Sequence, residues 1–171
     1  MLSGNLFNLR VLLIDCQTTG SSPKKGHLLE VGWCWYRASD DELDPGRIES
    51  SLVELPSGST LPPAITRLTG IGIEDLVEAP SAKEVWSSFS KAITVSGPPS
   101  IMPALAVAHF ARFEEQFFRD LYQELEEEGL FPLRFLCTHE IARRLYPDLP
   151  RRGLRALAGF FGHPLPALKR A

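Results

Sequence analysis

Apolar runs of two different periods predict an α/β fold, a mixed central sheet flanked by helices, built as a single domain over residues 1–171. Three observations carry this reading. Strand-like runs fill the first third of the chain. Two short apolar runs, Val11–Ile14 and Ala104–Ala108, have the character of central strands. The later strands alternate with helical patterns. At 171 residues, 44% hydrophobic and 23% charged, the chain suits one compact domain with a proper core.

The elements follow in order. Val11-Leu12-Leu13-Ile14 has the length and aliphatic content of a strand covered on both faces, and it delivers Asp15 to its carboxyl end, where open α/β sheets place their ligands. A turn over Thr18–Gly26 leads to "HLLEVGWCWYRA" (His27–Ala38), rich in Leu, Val, Trp and Tyr, as a second strand. "SDDELDPGR" turns the chain and "IESSLVEL" gives a third, so the start reads as an antiparallel meander. "LPPAITRLTGIGIEDLVEAPSAKEVWSSFSKAIT" holds two short helices with stops at Gly70, Gly72 and Pro80, and Ser81 is the N-cap of a further helix through Ala92. After the loop "SGPPSIMP", "ALAVAHF" is a buried strand and "EEQFFRDLYQELEEEG" an amphipathic helix ended by Gly129. "LRFLCTHEIARRLYP" is a short strand followed by a helix, and "GLRALAGFFG" is the last helix. The two central strands present polar residues at or just past their ends: Asp15 and Gln17 from the first, His109 and Glu114 from the second.

Charge and cysteine usage narrow the class. A net charge of −3 argues against a strongly basic nucleic-acid binder, but residues 1–128 carry 10 Lys/Arg against 19 Asp/Glu while residues 129–171 carry 8 against 2. The C-terminal quarter is therefore the candidate basic surface, or else an ordinary solvated helix face with a tail. Cys16, Cys34 and Cys137 are odd in number, widely spaced and without a zinc pattern, which predicts reduced, small apolar fillers. No apolar segment is long enough to span a bilayer and the start lacks the pattern of a secretory signal, so the expectation is a cytoplasmic protein with no membrane partner.

These residues carry a resemblance. "VLLIDCQTTGSSPKKGHLLEVGW" resembles the first motif of the DEDD superfamily of 3′-5′ exonucleases, the proofreading-exonuclease and ribonuclease T group, in which a strand ends in Asp-x-Glu followed by Thr-Thr-Gly. "LPPAITRLTGIGIEDLVEAP" is similar to the family's next segment, and "LAVAHFARFEEQFF" resembles its second motif, a strand running into His-Asn-Ala-x-Phe-Asp. "LCTHEIARRLYPDLPRRGLRALAGFFG" is similar to the stretch leading to the third. The likeness covers nearly the whole chain in order and implies a ribonuclease H-like fold. It also implies a site where four carboxylates hold two divalent ions, Mg²⁺ or Mn²⁺, with a His or Tyr as general base.

Residue by residue, the chain departs from that pattern. Asp15 matches the bridging aspartate; Gln17 falls where the family has Glu, keeping shape and an acceptor oxygen but losing the charge. Phe110 replaces the second motif's Asn. Glu114 replaces its Asp and reaches one methylene further. The third motif, His-x-x-x-x-Asp, is absent: His163 has Leu168 five places on, and His139 has Arg144. Its best match is "LKRA", with Lys169 in place of the general base and the aspartate expected beyond Ala171, so that either the chain is a fragment of a longer protein or the ligand has been lost. About two carboxylates of four remain, about −2 of charge against about +4 from two ions, and metal binding should be weak.

Simpler explanations stand beside several of these. An Asp after a buried strand is often a turn cap, and Glu114 and Glu115 suit the first turn of a helix whatever the site does. Gln17 reads best as a satisfied polar residue and His109 as packed and hydrogen-bonded. Thr18, Thr19 and Gly20 resemble the turn whose backbone meets a terminal nucleotide, but such a turn also serves structure alone. Two functions survive. One is a nucleic-acid-binding exonuclease-fold domain with a weakened or inactive site. The other is an active metal-dependent 3′-5′ exonuclease acting on single-stranded DNA or RNA ends. Further domains or a protein partner are compatible with either. Arg143, Arg144, Arg151, Arg152, Arg155, Lys169 and Arg170 are the expected phosphate-binding residues.

Overall fold

The computed structural model describes residues 8–39, 47–96, 103–125 and 129–163. The expected base at Lys169, and Arg170 beside it, lie outside the described residues. A five-stranded mixed sheet in the order β3-β2-β1-β4-β5 organises the molecule. Its strands are β1 (Arg10–Thr18), β2 (Leu28–Arg37), β3 (Glu49–Leu52), β4 (Ala104–Ala108) and β5 (Leu133–Cys137). The meander β1-β2-β3 is antiparallel, whereas β4 runs parallel to both β1 and β5. The helices are α1 (Pro63–Thr69), α2 (Ile73–Leu76), α3 (Ala82–Ser96), α4 (Arg112–Glu124), α5 (Thr138–Leu145) and α6 (Leu154–Phe160).

Several boundaries follow from identifiable chemistry. Gly70 takes a φ of 79° and its N–H bonds the Thr66 carbonyl, the left-handed stop that glycine adopts without strain. Ser81 and Glu84 cap α3 reciprocally: the Ser81 N–H donates to Glu84 Oε2 at 2.8 Å and the Glu84 N–H to Ser81 Oγ at 3.4 Å. That helix runs to Ser96, beyond the expected end at Ala92, because Ile93 continues its buried stripe. α4 closes at Glu124, short of the expected stop at Gly129.

The core lies on one side of the sheet. Leu12, Ile14 and Cys16 of β1 join Val31 and Trp33 of β2 and Ala104 and Ala106 of β4 beneath α3 and α4. Phe89 is the hub, with ring centroids 5.5 Å from Trp33 and 5.0 Å from Phe118. Paired aromatic rings add to the area they bury. A single alternation in β1 decides what faces the other way: Leu12, Ile14, Cys16 and Thr18 are buried, while Leu13, Asp15 and Gln17 are exposed or half-buried. β1 was expected to be covered on both faces; among the described residues its second face is covered only in part. The strand was also expected to close at Ile14. It continues to Thr18 because antiparallel pairing with β2 carries it on, Asp15 opposite Gly32 and Gln17 opposite Glu30.

Candidate active site

Asp15 and Gln17 sit two apart inside β1, so both project from the sheet face that α3 and α4 leave open. They line a cleft of about 410 Å³ together with Leu13, Glu30, Cys34 and Ile48. The Gln17 amide donates to Asp15 Oδ2 at 3.4 Å. Desolvation raises the Asp15 carboxyl above its ordinary value and the Gln17 hydrogen bond partly offsets this. Glu114 arrives from the first turn of α4, only 3% exposed, with Oε2 buried and unbonded. Burial first, then the Asp15 charge, pushes its carboxyl up to about 7, against a partial offset from its own main-chain N–H. The same two acids, added to burial, also raise the Cys16 thiol. Asp15 and Glu114 are thus electrostatically coupled across the end of the β1–β4 pair.

A buried carboxylate oxygen without a donor is costly unless a cation or proton meets it. Asp15 and Glu114 supply carboxylate oxygens, the ligands that a hard cation prefers. Among the described residues no group of three or more His, Cys, Asp and Glu could hold a metal ion. Gln17 adds a neutral amide beside them, its N–H turned on Asp15 Oδ2.

The turn after β1 is held by its own contacts. Thr18 Oγ1 donates to the Gly20 carbonyl at 2.7 Å, and Thr19 Oγ1 accepts the His27 N–H at 2.8 Å. A Cβ on Gly20 would lie 2.3 Å from the Lys25 carbonyl oxygen, so close backbone approach requires this glycine. Gln116 of α4 donates to the Ser21 carbonyl at 3.1 Å and ties the turn to the helix that bears Glu114.

Past β4, His109 is half-buried and its Nδ1 lies 2.9 Å from Thr138 Oγ1. Burial and the neighbouring His139 lower its pKa, while the approach of the Arg152 main chain acts against them; Nε2 makes no hydrogen bond. Phe110, a residue whose conformation the sequence did not reveal, takes a φ of 64°. It is the described non-glycine residue in the left-handed region, where Asn is favoured and Phe is strained. Its ring, 52% exposed, stacks on His139 with centroids 4.3 Å apart and planes at 27°. The sequence shows only that an aromatic residue stands where the resembling motif has Asn, a residue that tolerates this backbone.

The basic residues divide. Arg143 is bonded to Glu140 at 2.9 Å, and the Arg152 guanidinium donates to the carbonyls of Tyr146 and Pro147. Arg144, Arg151 and Arg155 are exposed. Cys16 and Cys34 are buried, with the Cys34 thiol donating to the Trp35 carbonyl at 3.4 Å, and Cys137 is half-buried.

Comparison with known proteins agrees with this layout. The sequence matches the RNase T exonuclease family over residues 12–164. DNA polymerase III subunit epsilon of Aquifex aeolicus is 25% identical over 168 residues, covering 98% of this chain and 75% of that protein. The PolC-type DNA polymerase III of Clostridium perfringens is 27% identical over 165 residues, 96% of this chain but 10% of that much longer enzyme. The nuclease domain of 3′hExo, a DEDDh family member bound to rAMP, superposes with a TM-score of 0.75 at 11% identity, over 94% of this chain and 82% of that one. Exonuclease X in complex with 5′ overhanging duplex DNA gives a TM-score of 0.58 at 19% identity, over 89% and 73%. The structural likenesses share the mixed sheet flanked by helices, the ribonuclease H-like exonuclease fold. With the family match spanning most of its length, the chain belongs to the RNase T exonuclease family, a 3′-5′ exonuclease domain of the DEDD superfamily.

Proposed function

We propose that this domain binds the ends of single-stranded DNA or RNA with an exonuclease site weakened by loss of ligand charge. The observation that carries the reading is the pairing at β1: where a second carboxylate would face a cation, the Gln17 amide donates its N–H to Asp15. The exonucleases this chain resembles depend on divalent ions, which supply the attacking hydroxide and stabilise the leaving oxygen. Here Asp15 and Glu114 would hold one Mg²⁺ or Mn²⁺. Because the Glu114 carboxyl titrates near 7, a proton competes with the ion at neutral pH. Arg144, Arg151 and Arg155 would meet phosphates, and the turn at Thr18, Thr19 and Gly20 would meet the terminal nucleotide. A cytoplasmic setting and association with further domains or a protein partner complete the proposal; relatives include a DNA polymerase III subunit, and among the described residues no helix is long and apolar enough to cross a membrane.

One observation favours a second reading, an active metal-dependent 3′-5′ exonuclease: the buried, unbonded Glu114 Oε2 is poised for a cation. Degradation of a 3′-labelled single strand in Mn²⁺ by wild type and Asp15→Ala separates the two. The weakened site gives slow loss of label or none. Brisk cleavage abolished by Asp15→Ala overturns it in favour of the active enzyme.

A further inference from the structure

We infer that the ring of Phe110, backed by His139, is a stacking platform for an unpaired nucleobase at the strand end. This rests on the nucleic-acid-binding reading and adds to it a specific base contact. The platform stands at the junction from which Glu114 is delivered: Phe110 lies between Ala108, the last residue of β4, and Arg112, the first of α4, whose first turn carries Glu114. One face of the Phe110 ring is taken by His139, and the edge contact with His109 has centroids 4.7 Å apart. The residue nevertheless remains half exposed, over a cleft of about 650 Å³ lined also by Arg112, Phe113, Gln116 and two acids, Glu115 and Glu140, that are paired with Arg119 and Arg143.

Three physical features favour a base over other occupants. A large apolar ring held open to water gains by stacking a flat, polar-edged partner, and every base offers such a face. The ring is fixed from behind by His139, so little side-chain freedom is lost when a base settles on it. Its backbone is held in the left-handed region without glycine or asparagine, a strain that persists where surrounding structure over-determines it and that marks functional sites. The exposed Arg112 guanidinium, two residues on, complements a phosphate attached to that base.

The test compares binding of a fluorescent oligothymidylate with that of the same strand ending in an abasic residue, in EDTA so that no cleavage intervenes. Wild type is expected to bind the base-ended strand roughly tenfold more tightly, the size of one base–aromatic stack. Phe110→Asn, which suits the same backbone, should bind both strands alike, and Phe110→Trp should keep the preference. Phe110→Asn should also melt at or above the wild-type temperature, since it relieves strain; a clear fall would mark the ring as structural and overturn the platform. Equal binding of both strands by wild type, or an undiminished preference in Phe110→Asn, likewise overturns the platform alone. Failure of wild type to bind either strand at low salt overturns the nucleic-acid reading and the platform with it.

Discussion

Gln17 concentrates the chemistry of this site in one atom pair. A carboxylate in its place would repel Asp15 in the bare protein and attract a cation, whereas the amide satisfies Asp15 directly. Gln17→Glu is expected to raise Mn²⁺ affinity on the order of tenfold, read by titration calorimetry, because ligand charge sets the affinity of hard-cation sites. No change would mean that residue 17 does not face the ion. Glu114 gives a second expectation at this scale. Its carboxyl rises from an ordinary 4.5 to about 7, so between those values the folded state holds the proton that the unfolded chain releases, and stability falls as pH rises through the window. Asp15 acts with the same sign, while His109, whose pKa is lowered, acts with the opposite one. The free energy of unfolding should therefore drop less between about pH 5 and pH 8 in Glu114→Gln than in wild type, by about 1–3 kcal/mol, read by denaturant unfolding across that range. An identical pH profile in the two proteins would show that Glu114 is not desolvated as described.

At the scale of elements, the β1 alternation and the turn that follows do most to build the site. Period-two patterning makes Leu12, Ile14 and Cys16 core residues and, by the same rule, sends Asp15 and Gln17 to the open face. The Gly20 contact is equally demanding: Gly20→Ala places a methyl 2.3 Å from the Lys25 oxygen. This substitution is expected to cost about 1–3 kcal/mol in denaturant unfolding, since backbone must move to admit it. A neutral result would show that the turn is not tightly closed. Elements with strong local signals were legible in the sequence: the Ser81 N-cap, the Gly70 stop and the strand Ala104–Ala108 formed where composition placed them, while the answering contact from Glu84 is seen only in the structure. The continuation of β1 to Thr18 was not, because cross-strand pairing with β2 decides it rather than any property of Asp15, Cys16 or Gln17 alone. The left-handed turn at Phe110 was hidden for a related reason, since tertiary packing there overrides the preference of the residue.

For the whole molecule, the proposed strand binding turns on the division of charge, with the net positive stretch in residues 129–171. Asp15 and Glu114 sit toward the end of the β1–β4 pair, and the main chain at Arg152 lies against His109, just past the end of β4. Replacing Arg144, Arg151 and Arg155 together is expected to weaken strand binding at low salt and to flatten its salt dependence by about one power of salt concentration per lost phosphate contact. An unchanged salt slope would assign those arginines another role. The fold was legible at this scale because order and period of the apolar runs specify a mixed sheet. The site was legible only in part: residue types identify Asp15, while the turning of the Gln17 amide onto it and the unbonded oxygen of Glu114 depend on three-dimensional contacts. The most direct measurement is degradation of a single-stranded oligonucleotide in Mn²⁺ by wild type and Gln17→Glu side by side. A gain of at least several-fold on restoring the carboxylate, from a slow wild-type rate, is the expected result; a fast wild-type rate that the substitution leaves unchanged or lowers would contradict a site weakened by missing charge.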